Sequence, residues 1–177
     1  MSFIVYRAGG SERLPGPFHP LAYEWKAIIA PVQWSVPDAS DGAINFLVPL
    51  DINGVTIEGL FLRGRAYESA PDRDVMFQLE ITTGLRSRTP LRRVDWLPRS
   101  GRHKNPDKGE ILGSHQHLFE PNWIEGEQRM RAGNLPWAEA IPATVSTYAS
   151  LLDFTADQFR IQNITAVPQP EWSAKLL

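Results

Sequence analysis

Residues 115–117 read His-Gln-His. Strand side chains alternate between faces, so residues two apart on a strand project together, and the His115 and His117 imidazoles would share one face. His103 lies upstream, across a loop carrying Lys104, Asn105, Pro106, Asp107, Lys108 and Gly109 that can fold it back beside the pair. Arg93 and Asp95 are also two apart and share a face of the strand expected just before. If the two strands are neighbours, one surface carries Arg, Asp and three His. Imidazole titrates near neutrality, guanidinium neutralises phosphate, and a carboxylate can fix an imidazole tautomer. The first chemistry this suggests is acid–base attack on a phosphodiester. His115 and His117 would be the acid–base pair, Arg93 the phosphate clamp and Asp95 the orienting group. The second is a metal site, because His-x-His on a strand, joined by His103 or Glu120, suits zinc, iron or nickel. A third reading is purely structural, with the imidazoles hydrogen-bonded at a sheet edge.

The run Gly109…His115-x-His117…Glu120…Gly126 is similar to the first cupin motif, G-x5-H-x-H-x3–4-E-x6-G. Only Leu118 and Phe119 separate His117 from Glu120, and no later His supplies a second motif. The chain has no cysteine, which excludes thiolate catalysis, disulfides and Cys-ligated metal or iron–sulfur sites. On these grounds the expectation is a protein without cofactor, metal-free as purified. Arg93-x-Asp95, His103-x-Asn105-Pro106-Asp107, Ile111 and His115-x-His117-x-x-Glu120, in that order, resemble an uncharacterised prokaryotic and phage family, a domain of unknown function with an R-x-D…H-x-N-P-D…H-x-H pattern. The resemblance runs from the strand ahead of the motif to the helix closing on Asn163-Ile164, and Glu120 stands one residue early within it. The same skeleton is distantly similar to TumE-type toxins of toxin–antitoxin systems. That likeness implies an action on RNA or translation.

Charge is distributed unevenly. The whole chain carries a formal −2. Residues 86–108 hold Arg86, Arg88, Arg92, Arg93, Arg99, Arg102, Lys104 and Lys108 against Asp95 and Asp107, a local +6, so the remainder carries −8. Clustered like charge repels itself and suits an anionic partner. Arg99, Arg102, Lys104 and His103 would then steer or bind substrate. The alternative is a non-enzymatic interaction module whose basic face docks RNA or an acidic protein, or cations paired internally. Trp96 and Trp123 flank the segment and are the two aromatics to consider as base-stacking platforms. No nucleotide-binding Gly-rich loop or Gly-x-Ser-x-Gly occurs; Gly9-Gly10 reads as a turn and Gly113-Ser114 as a weak nucleophile candidate.

The elements that must position these groups are mostly strands. The 177 residues suit a single domain, and 15 prolines disfavour long helices. Residues 9–20 read as a Gly- and Pro-punctuated loop. Ile44, Phe46, Val48, Leu50 and Ile52 alternate, and Asn53-Gly54 follows as a type I′ hairpin signal. A two-residue turn there pairs Ile52 with Val55, Leu50 with Ile57 and Phe46 with Phe61, all on one face. Val75, Phe77, Leu79 and Ile81 make another strand; residues 91–97 and 111–120 make two more. Leu151, Leu152, Phe154 and Phe159 predict a helix within residues 147–162, ended by Asn163 and packed on the sheet. The fold expected is α+β: an antiparallel β-meander of about five strands followed by a C-terminal helix on one face. Residues 1–42 would be an irregular N-terminal segment, 43–120 the strand-rich core and 121–177 the helix and tail. Neither a membrane span nor a signal peptide is legible, so the expected location is cytoplasmic.

Overall fold

The computed structural model describes residues 18–70, 72–82, 87–107, 109–131 and 135–172. Arg86, Lys108, the Gly9-Gly10 turn and most of the loop expected over 9–20 lie outside the described residues. A short helix α1 (His19–Tyr23) and strand β1 (Lys26–Ile28) stand within the segment expected to be irregular. The strands that follow are β2 (Ala43–Ile52), β3 (Val55–Tyr67), β4 (Val75–Thr82), β5 (Arg88–Trp96), β6 (Arg102–Lys104), β7 (Glu110–Leu112), β8 (His115–His117), β9 (Trp123–Ile124), β10 (Arg129–Met130) and β11 (Glu139–Ala140). Helix α2 (Tyr148–Phe159) comes after them. A seven-stranded antiparallel sheet runs β1-β2-β3-β4-β5-β8-β11, and β6-β7 and β9-β10 form separate ribbons. The class is α+β as expected, with more strands than the expected five because β1 and β11 extend the two edges. The strand expected over 111–120 is broken at Gly113, whose φ of +78° turns the chain between β7 and β8.

The β2–β3 hairpin corrects the expected register. Ile52 does face Val55 across the turn, but the ladder then slips, and beyond it Pro49 faces Phe61 and Phe46 faces Gly64. Between the Asp51–Thr56 and Pro49–Phe61 pairs, β3 carries three more residues than β2. A shift of three is odd, so every side chain beyond it changes face relative to the simple hairpin. Phe46 is therefore buried while Phe61 lies half-buried on the opposite face. Gly59, at φ +83°, sits inside the slip, where an isolated glycine allows the strand to bulge. Gly64 is needed for space: a Cβ there would come within 2.1 Å of the Phe46 ring, which occupies the vacancy.

One sheet face is the core. Leu60, Leu62, Phe77, Leu79, Val94 and Trp96 are all fully buried on it. Helix α2 covers this face through Tyr148, Leu151, Leu152, Thr155 and Phe159, a spacing that keeps one helical stripe inward. Its start is fixed by a capping box: Ser150 N donates to Thr147 Oγ1 at 3.1 Å, and Thr147 N donates to Ser150 Oγ at 3.0 Å. The helix ends earlier than expected, at Arg160 with φ +55°, not at Asn163. The Asn163 amide instead brackets Ile28 of β1, accepting from its N–H at 2.8 Å and donating to its carbonyl at 3.0 Å. Trp96 belongs to this core, with Nε1 donating to Val145 O at 2.9 Å, and is no stacking platform. Trp123 stacks on Phe119. Among the described residues, no helix is long and apolar enough to cross a membrane.

Candidate metal centre on the open sheet face

The second sheet face carries the site. Strands β5 and β8 are direct neighbours, with Arg93 opposite His117 and Asp95 opposite His115. Alternation then puts all four side chains on the face away from α2. His103 arrives from the β6–β7 ribbon, whose open end Gly113 N closes by donating to Gly101 O at 2.9 Å. The three imidazoles form a near-equilateral triangle, with ring centroids 5.0, 4.9 and 5.1 Å apart. One nitrogen from each lies within 4.8 Å of the other two.

Backbone carbonyls fix the tautomers, because a carbonyl only accepts and the nitrogen facing it must carry the proton. His115 Nδ1 donates to Gly113 O at 2.9 Å, His103 Nε2 donates to Pro136 O at 2.9 Å, and His117 Nδ1 donates to Leu135 O. The lone pairs left over are His115 Nε2, His117 Nε2 and His103 Nδ1. Asp95 Oδ2 joins them, 3.2 Å from His117 Nε2 and 3.5 Å from His115 Nε2. The donor among these acceptors is Arg93, whose Nε reaches Asp95 Oδ2 at 2.7 Å and whose Nη2 lies 2.8 Å from His117 Nε2.

The electrostatics follow from burial. His117 and His115 are buried, and desolvation moves both pKa values below the ordinary imidazole value, so both rings are neutral at pH 7. Burial works against the Asp95 charge, but its neighbours outweigh it and hold the carboxyl below its ordinary value; the His117 and His115 nitrogens that face it carry no proton, so the donor among those neighbours is Arg93. With His117 neutral, Arg93 is the cation that sustains that charge.

Two clamps hold the carbonyls in place. Asn105 donates to Ala138 O and accepts from Ala138 N, both at 2.9 Å. Asn122 is fully buried; it donates to Trp137 O at 2.8 Å and accepts from Trp137 N at 2.9 Å. Between them they fix the segment that presents Leu135 O to His117 and Pro136 O to His103. Leu135 itself adopts φ +49°, a conformation a branched side chain rarely takes. These residues escape sequence reading because any residue supplies a carbonyl. The one signal was Asn105, inside the His103-x-Asn105-Pro106-Asp107 motif.

The cluster thus gathers His103, His115, His117, Arg93 and Asp95. It does not gather the other candidates. Glu120 is exposed on a 3₁₀ turn and faces Tyr23. Arg102 and Lys104 flank His103 on β6 and alternate away from it. Arg99 pairs with Asp74 at 2.7 Å and stacks over Tyr67. Of the remaining described cations, Arg92 is buried over the Tyr23 ring and Arg88 approaches Glu80 at 3.6 Å. Comparison with protein-family models, curated proteins and solved structures gives no match for this chain.

Proposed function

We propose that this chain is a metalloprotein that holds one divalent transition metal, zinc foremost, on His103 Nδ1, His115 Nε2 and His117 Nε2, with Asp95 Oδ2 as a fourth protein ligand. The supporting observation is the triangle of imidazoles, each with its far nitrogen on a backbone carbonyl. A ring bound at about 2.0–2.1 Å has its centroid about 3.2 Å from zinc, so two rings at a tetrahedral angle lie about 5.2 Å apart. The observed 4.9–5.1 Å agrees. Ligand atoms of such a tetrahedron are about 3.3 Å apart, close to the 3.2 and 3.5 Å from Asp95 to the two buried His. Converging acceptors repel one another unless a cation lies between them, and carbonyl-bound second nitrogens are the usual support of metal-ligating His. The expectation of a metal-free protein rested on the missing cysteines, the missing second cupin motif and the early Glu120; in the metal reading Asp95 takes the role that Glu120 was considered for, and the other two grounds do not bear on a three-His, one-carboxylate set. The class of chemistry this favours is metal-assisted hydrolysis or binding of a ligand on the Arg93 side.

A second reading keeps the acid–base pair acting on RNA, as the likeness to TumE-type toxins implies. The 2.8 Å contact of Arg93 with His117 favours it. Against it, the His117 side chain has no exposed surface, and both buried rings are neutral and so ill-suited to act as the acid. Elemental analysis of purified protein separates the two: the metal reading expects about one equivalent of metal, lost in His115→Ala and His117→Ala. RNA cleavage that persists in EDTA, by protein with no metal, would favour the second reading.

A further inference from the structure

The open sheet face has a charge pattern that specifies what the centre binds. Leu47, Arg63, Gln78, Arg93 and His117 face one another in register across β2, β3, β4, β5 and β8. Within this row Arg63 is already neutralised: its Nε and Nη2 reach Glu80 at 2.9 and 2.8 Å, and Gln78 Nε2 adds a bond to the same carboxylate at 2.7 Å. Arg93 differs, because its carboxylate partner, Asp95, is itself turned toward the imidazole lone pairs.

Metal on His117 Nε2 uses that lone pair, so Arg93 Nη2 loses its acceptor. The guanidinium remains anchored through Nε on Asp95, beside a dication. Three neutral imidazoles, one carboxylate, one guanidinium and a divalent ion sum to +2. A partly enclosed site with that surplus favours an anion that bridges the ion and the fork of Arg93. Access fits the same ligand. The Arg93 and Asp95 side chains retain 22% and 18% exposure while His117 has none, so the approach is past Arg93.

We propose that the centre binds a small oxyanion, a phosphate or carboxylate group, between Arg93 and the metal, which takes it as a fifth ligand beside the four from the protein, and that Arg93 is its recognition residue. This rests on the metal reading. Arg93 is then the group that receives the ligand beside the metal.

The test uses the cobalt(II)-substituted full chain, whose visible spectrum reports the ligands of the ion, titrated with inorganic phosphate, acetate and a dinucleotide in separate arms. A saturable spectral change with phosphate or acetate is expected, the tighter of the two naming the group recognised. Arg93→Gln should still take up one cobalt at saturating metal through the three imidazoles, while weakening the anion about 10–100-fold, the loss typical of a charge-assisted contact. Arg93→Lys, which keeps the charge without the fork, should fall between. Cobalt bound with a spectrum indifferent to phosphate and acetate would overturn the oxyanion proposal and leave the metal reading standing, as would equal anion affinity in Arg93→Gln. A response to the dinucleotide but to neither small anion would overturn it in favour of a nucleic-acid ligand. Failure to bind cobalt would overturn both.

Discussion

Asn105→Ala removes a side chain that touches no proposed ligand atom, yet it should weaken the metal centre. The Asn105 amide makes two hydrogen bonds with Ala138, each 2.9 Å long, and holds the strand-like segment whose carbonyls orient His103 and His117. Each bond contributes about 0.5–1.5 kcal/mol net, so unfolding stability should fall by about 1–3 kcal/mol. Asn105 is only half-buried and Asn122 still clamps Trp137, so the variant should fold. Loosening the carbonyls frees both rings to rotate out of the convergent arrangement, and loss of a group that holds the ligands' hydrogen-bond partners typically weakens metal binding about 10–100-fold. Zinc affinity can be read by competition with a chromophoric chelator, and stability by urea unfolding of the metal-free protein. Lower stability with unchanged zinc affinity would refute the reasoning, because it would make the clamp a scaffold with no hold on the ligands. Unchanged stability and affinity together would refute the hydrogen-bond geometry itself.

Two further outcomes test the fold beneath the site. Burial, with help from Arg92 and Arg160 and against Glu24, pulls Lys26 from 10.5 down to about 7, while its Nζ donates to Glu24 O and to Phe159 O at the end of α2. The unfolded chain therefore binds the extra proton between those two values, and stability should rise with pH above 7 by up to about 1.4 kcal/mol per unit. Tyr23 and Tyr148, both raised above the ordinary tyrosine value, begin to oppose this above about pH 9.5. Urea unfolding across pH 7 to 9 should show the rise in the native protein and its loss in Lys26→Met; a flat native profile would contradict it. Gly64→Ala should destabilise by about 1–3 kcal/mol through the clash with Phe46, and Phe46→Leu in the same chain should recover part of that. No loss in the single variant would show the ring free to move aside.

Much of the site was legible because its spacing is local. His115-x-His117 and Arg93-x-Asp95 each share a face by alternation alone, and both lie on neighbouring strands as assumed. The hairpin turn was legible from Asn53-Gly54, but the register beyond it was not. Three extra residues around Gly59 reverse the face of Phe61, and the lone glycine within an alternating strand was the available sign. Asp74, Glu80 and Glu110, all outside the +6 segment, approach its Arg99, Arg88 and Arg102, pairings that a charge count over residues 86–108 leaves out. The carbonyls of Leu135 and Pro136 left no trace, since main-chain groups carry no sequence signature.

The measurement that bears most directly on the central claim is an anomalous difference map from crystals of the full chain grown with stoichiometric zinc, recorded on both sides of the zinc absorption edge. One peak is predicted, within bonding distance of His103 Nδ1, His115 Nε2 and His117 Nε2, with Arg93 turned away from His117. No peak at that triangle, or zinc held elsewhere while Arg93 keeps its hydrogen bond to His117, would contradict the account.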